Sequence, residues 1–148
     1  MPQYVDCYFL MDSRDKNIVK NFVEHISNET EITCDDFLVA NGKLIIEDVF
    51  ILMKYLEQNE NEVQYLYWRN KNEKSPYKYI MAFYTDDGKI IFGVSMEGNS
   101  PLDSTLERLS LRIKSYLKSS IGCMTVEEMP PANSSEFLEF CKQRYTLR

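Results

Sequence analysis

Chemistry has few places to reside in this chain. Cys7, Cys34, Cys123 and Cys141 are widely spread with no C-x-x-C pair, and His25 is the single histidine. A zinc site needs closely spaced thiolate and imidazole ligands, so the cysteines read as reduced, mostly buried structural residues. A Cys-His dyad would need His25 and one of these thiols, and both kinds of residue sit among apolar neighbours. Glu127-Glu128 is the best carboxylate pair, but adjacent residues of a strand point to opposite faces and cannot share a substrate. Asp86-Asp87-Gly88 offers two carboxylates, yet a calcium loop needs further oxygen ligands after the glycine, and "KIIFG" supplies none. It reads as a turn, with the glycine supplying a positive φ and the aspartates bonding locally. G-x-G-x-x-G, P-loop and G-x-S-x-G patterns are missing from the sequence. The expectation is a non-enzymatic protein with no cofactor and no metal.

Binding is the better prospect, and charge directs it. Residues 1 to 62 carry 5 Lys/Arg against 13 Asp/Glu, a net of −8, while residues 63 to 148 carry 12 against 10, a net of +2. An acidic half repels nucleic acid and anionic membrane and steers a basic protein partner toward itself. Asp35, Asp36, Glu57, Glu60 and Glu62 lie at the ends of predicted elements, where they should be exposed. With the aromatics Tyr65 and Trp68 they form the candidate partner-binding set. The stretch "YLYWRNKNEKSPYKY" interleaves Arg69, Lys71, Lys74 and Lys78 with aromatics that could stack bases. The overall acidity and the lack of an RNP-like motif argue instead for a hairpin whose loop lysines are solvated and whose aromatics fill the core.

The elements that must position these residues follow from periodicity. "YVDCYFL" reads as a first strand. Asp12 or Ser13 then caps a helix carrying Ile18, Val19, Phe22, Val23 and Ile26 on one face, with His25 beside it as a rim or core residue and not a ligand. "NETEITCDDFLVANGKLII" suits one short strand or bent edge, with a turn at Asn41-Gly42. "EDVFILMKYLEQ" is a helix ending near Gln58, its stripe of Val49, Leu52, Met53 and Leu56 widened by Phe50 and Tyr55. Strands at Val63 to Arg69, Tyr77 to Thr85 and Lys89 to Ser95 come next. A two-residue turn at Asp87-Gly88 sets Phe83 opposite Phe92; a three-residue loop with Gly88 in a bulge shifts the pairing by one residue. A helix capped at Ser104 with Glu107 carries Leu106, Leu109, Ile113, Tyr116 and Leu117. "GCMTVEEM" forms a last strand, and Asn133 with Glu136 starts a short C-terminal helix.

The order β-α-(β)-α-β-β-β-α-β-α predicts a single α+β domain over residues 1 to 148, with a mostly antiparallel sheet and helices packed on one face. Val19, Phe22, Leu52, Phe83, Phe92, Leu109 and Ile113 should lie in the core. A composition of 44% hydrophobic and 27% charged residues is that of a globular chain. No apolar run nears the roughly 20 residues that span a bilayer, and "MPQYVDCYFLMD" lacks the marks of a signal peptide. A cytoplasmic location is expected.

The pattern "YWRNK…YIMAFYTDDGKIIFGVS…YLKSSIGCMTVEEMPP" resembles, over the last two thirds of the chain, small bacterial immunity proteins found beside polymorphic toxins. The resemblance implies an acidic, single-domain, cytoplasmic inhibitor that covers the active site of a cognate toxin domain. The runner-up from the residues themselves is a ligand-binding or regulatory domain, with a single-stranded nucleic-acid binder behind it.

Overall fold

The structure, a computed structural model, describes residues 3–148. Along the chain run β1 (Tyr4–Met11), α1 (Lys16–Ile26), β2 (Thr30–Ile32), β3 (Phe37–Val39), β4 (Leu44–Ile46) and α2 (Val49–Gln58). They are followed by β5 (Gln64–Asn70), β6 (Tyr77–Tyr84), β7 (Ile90–Glu97), α3 (Ser104–Leu117), β8 (Gly122–Val126), α4 (Ser134–Lys142) and β9 (Tyr145–Leu147). This is an α+β fold. Seven strands form one sheet in the order β2-β5-β6-β7-β1-β8-β9, every neighbouring pair antiparallel, and β3 pairs with β4 in a separate hairpin. The chain starts with β1 inside the sheet, between β7 and β8, and later strands are added on both sides of it.

The element order departs from expectation in two places. The one short strand expected between the first two helices is three, β2, β3 and β4, because the chain turns twice there: once at Thr33–Asp36 and once at Ala40-Asn41-Gly42, all three of which have positive φ. A further strand, β9, follows α4 and closes the edge beside β8. The helix caps also move. Asp15 caps α1 and Asp103 caps α3, each carboxylate accepting from the backbone N–H two residues on, while Asn133 caps α4 where expected.

Alternation along the strands divides the interior in two. Val5, Cys7 and Phe9 of β1, Ile80, Ala82 and Tyr84 of β6, and Ile90, Phe92 and Val94 of β7 face a layer made of α1, α2, α3 and the β3–β4 hairpin. Phe22 of α1 stacks on Phe92 with ring centroids 4.2 Å apart. On the other side, Tyr8, Leu10, Met81, Phe83, Ile91 and Cys123 meet Phe137, Phe140 and Cys141 of α4. Three helices thus share one face, and α4 covers part of the second. Of the expected core, Leu109 is only partly buried and the other six residues are fully inside.

The β6–β7 hairpin takes the three-residue loop. Tyr84 pairs with Ile90, Ala82 with Phe92 and Phe83 with Ile91, and the Thr85 N–H donates to the Lys89 carbonyl around Asp86-Asp87-Gly88. Gly88 holds φ at +86°. The shift by one residue puts Phe83 and Phe92 on opposite faces of the sheet, in the two separate cores. The aspartates bond far from the turn as well as within it. The Asp86 N–H donates to the Ala132 carbonyl at 2.8 Å, Asn133 Nδ2 donates to the Asp86 carboxylate at 2.8 Å, and Ser134 donates its N–H and hydroxyl to Asp87. The hairpin tip is therefore the dock for the N-terminus of α4.

Candidate protein-binding surface

The acidic residues singled out in the sequence separate into two groups. Asp35, Asp36 and Glu60 are exposed. Glu57 and Glu62 are partly buried and work inside the fold: Glu57 accepts from the Lys16 N–H at 2.8 Å, placing a carboxylate at the positive end of α1. Glu62 accepts from the Ala40 N–H at 3.0 Å and the Tyr55 hydroxyl at 3.2 Å, fastening the β3–β4 turn to α2.

The aromatic pair separates too. Trp68 is 7% exposed, on the inner face of β5 against the helix layer, so little of it is open to a partner. Three places earlier, Tyr65 points to the other face of the sheet, where it is 38% exposed and meets Phe83 edge-on. The period of two along a strand enforces this split, and a register shift between Tyr77 and Tyr79 helps to break up the supposed base-stacking stretch. Trp68 and Tyr77 turn to the helix side, Tyr65, Tyr67 and Tyr79 to the other, and Arg69 is held by Glu31 at 3.0 Å.

What the sequence reading missed is apolar. Leu38 is 60% exposed, Ile45 56%, Phe50 60% and Ile51 61%. Leu38 and Ile45 are cross-strand partners of the β3–β4 hairpin. Their neighbours Phe37 and Ile46 point inward, so the outward position of Leu38 and Ile45 is imposed by register. Phe50 and Ile51 form the first turn of α2, held by the Asp48 carboxylate, which accepts from both of their N–H groups at 2.8 and 3.0 Å. Phe50 does not widen the buried stripe of α2 as expected. The signal was present: "VFILM" places five apolar residues in succession, and five residues wind more than a full helical turn, so a single face cannot bury them all.

β4 packs against α2, so the hairpin that carries Leu38 and Ile45 is next to the helix that carries Phe50 and Ile51. Exposed Asp35, Asp36, Glu47 and Asp48 flank them along the chain. Exposed apolar side chains can contribute desolvation to a docking surface, and exposed acidic neighbours can contribute steering.

A buried cation holds this region in place. Arg14 is 3% exposed. One amino group of its guanidinium donates to the carbonyls of Leu56, Asn59 and Glu62, and the other to those of Thr85 and Lys89. The planar fork thereby ties the C-terminal end of α2 to the start of the β6–β7 loop. Burial pulls its pKa down, while Tyr84, Glu60, Asp87 and Glu62 favour the charged form.

His25 sits at the rim as expected, its ring stacked on Tyr116 at 3.5 Å. Cys7, Cys123 and Cys141 are buried and free, and Cys34 is exposed. Among the described residues no group of three or more His, Cys, Asp or Glu side chains is placed to hold a metal ion, and no helix is long and apolar enough to cross a membrane. Glu127 and Glu128 correct the sequence reading. Strand β8 ends at Val126, and Glu127 has φ of +49°. The left-handed residue breaks the alternation, so both glutamates line the same cleft on the second face of the sheet.

The chain matches no protein-family model and no curated protein. Among solved structures it is similar to a chain of the 1.75 Å crystal structure of the toxic C-terminal tip of CdiA from Pseudomonas aeruginosa in complex with immune protein. The TM-score is 0.47 at 14% identity over 89% of each chain, too distant a likeness to bear on function.

Proposed function

We propose that this protein is a non-enzymatic binding domain that docks a basic protein through the β3–β4 hairpin and the first turn of α2. In its most concrete form it is an immunity protein that inhibits a bacterial toxin domain in the cytoplasm. The exposed cluster of Leu38, Ile45, Phe50 and Ile51 beside Asp35 and Asp36 carries this reading. Four large apolar side chains more than half exposed each forgo about 1–2 kcal/mol of burial in the free protein, which a partner can recover. The net of −8 over residues 1 to 62 sets the sign of that partner. The sequence resemblance to immunity proteins supplies the toxin as its class.

The test uses the C-terminal domain encoded by the reading frame directly upstream, expressed in a host with and without this chain. Rescue of growth is expected, together with a complex that survives gel filtration. Phe50→Ser with Ile51→Ser should weaken binding at least tenfold, and Asp35→Lys with Asp36→Lys should slow association more at low salt than at high salt. Rescue left untouched by all four substitutions in folded variants would move the interface elsewhere. Self-association of the free chain, abolished by Phe50→Ser, would make a second copy the occupant and overturn the assignment.

A further inference from the structure

The second face of the sheet is only partly covered by α4, and beside that helix lies a cleft of about 350 Å³. Its walls are aromatic: Tyr4 and Tyr79, packed edge to face at 5.9 Å, with Tyr67 and Tyr8 beyond them. Tyr8 can lie flat across β7 because residue 93 is glycine; a Cβ there would come within 2.7 Å of two Tyr8 ring atoms. Glu127 and Glu128 also line the cleft, Glu128 accepting from Nε and Nη2 of Arg144 at 2.6 and 2.5 Å. Thr125 donates its hydroxyl to the Glu128 carbonyl and steadies this loop.

The decisive group is Asp6. Its carboxylate lines the cleft, yet the residue is only 6% exposed. The Ser95 hydroxyl donates to it at 2.5 Å and Tyr8 hydrogen-bonds to it as well, but no Lys, Arg or His of the described residues pairs with it. No Lys or Arg lines the cleft. Buried carboxylates ordinarily have a cation beside them, because desolvation without one is costly. Here the cation's place is an open space walled by tyrosine rings, whose π faces attract positive charge.

We propose that the cleft binds an alkylammonium cation, with Asp6 as its counter-ion and Tyr4, Tyr8, Tyr67 and Tyr79 as its cage. The cleft has room for such a head group together with part of its stem. The same chemistry is presented by a free small amine and by a lysine side chain of another protein. The cleft lies across the sheet from the acidic and apolar surface, so it stands or falls independently of that interface.

Calorimetric titration with choline, with its neutral isostere 3,3-dimethylbutan-1-ol, and with the tripeptides Gly-Lys-Gly and Gly-Leu-Gly tests this. Saturable binding of choline or of the lysine peptide is expected, at least tenfold tighter than that of the matching neutral probe. Asp6→Asn should weaken the cation at least tenfold and leave the neutral probe unchanged. Tyr67→Leu, at a partly exposed wall position, gives a second, independent reading and should also weaken the cation. Tighter choline assigns a free amine as ligand, and a tighter lysine peptide assigns a protein side chain. Equal binding of charged and neutral probes, no saturable binding of either cation, or cation binding unchanged by both substitutions overturns the proposal.

Discussion

The guanidinium carbon of Arg14 lies 5.2 Å from the centroid of the Tyr84 ring, inside the protein and without a carboxylate partner among the described residues. Its charge is stabilised by carbonyl dipoles at the end of α2 and by the ring face, so its role is to satisfy backbone acceptors that would otherwise be buried bare.

Arg14→Leu should therefore cost about 3 kcal/mol or more, since several carbonyls lose their donor at about 1–3 kcal/mol each. Arg14→Lys should recover less than half of this, because an ammonium cannot reproduce the planar fork that spans α2 and the β6–β7 loop. Urea unfolding of the three proteins measures both. A lysine variant as stable as wild type would show that charge alone suffices.

The acidic residues should sort by their partners. Glu62→Ala should lose about 1–2 kcal/mol, because the Ala40 N–H and the Tyr55 hydroxyl lose their acceptor. Asp35→Ala and Asp36→Ala should each stay within about 0.5 kcal/mol. Thermal melts of the three single variants decide, and equal losses would contradict the distinction between structural and free carboxylates.

Two aspartates should shift stability with pH in opposite senses. Burial raises the Asp6 carboxyl above its ordinary value, against hydrogen bonds from Ser95 and Tyr8 that pull it down. Its folded state holds the proton more tightly, so this stabilisation is full below the unfolded value of about 3.9 and is lost as pH rises through the folded one. Asp6→Asn should thus be more stable than wild type at neutral pH, the gap closing below about pH 4. For Asp87, partial burial pushes the carboxyl up, but hydrogen bonds from Ser134 and Thr85 outweigh it and hold the group below its ordinary value. Its contribution is present above the unfolded value and is lost as pH falls through the folded one, so Asp87→Asn should be weaker than wild type at neutral pH and converge with it in acid. Denaturation curves from pH 3 to 8 read both signs, and two curves parallel to wild type would refute the linkage.

Thiol reactivity should follow burial. Cys34 is exposed, whereas desolvation pushes the Cys7 thiol up to about 12 and raises that of Cys123, where a hydrogen bond with Cys141 contributes most. One thiol should react with Ellman's reagent in the native protein and four after unfolding. Loss of the fast phase in Cys34→Ser confirms the assignment, and a second fast thiol would place an opening motion near β8 and α4.

Local pattern by itself determined much of this protein. The spacing of Val19, Phe22 and Val23, the alternation of Ile80, Ala82 and Tyr84, the cap at Asn133 and the glycine at position 88 each act within a few residues, and each appears in the structure as the chain spells it. The α+β class follows from the order of those segments. What pattern left open was decided by contacts between distant segments. The pairing of Tyr84 with Ile90 was one of two registers compatible with the turn residues, and packing against α1 on one face and α4 on the other selected it. Period-two geometry put Tyr65 and Trp68 on opposite faces, but only the completed sheet made one face interior and the other a cleft. The run Val49–Met53 already requires some apolar residue to stay outside a single buried face, but the local window does not say what meets Phe50 and Ile51, because hydrophobicity states a preference for burial and not which surface will meet it. Asp6, Arg14 and the left-handed Glu127 were illegible for the same reason: their roles depend on groups 40 to 120 residues away, brought together only when β1 takes its place inside the sheet.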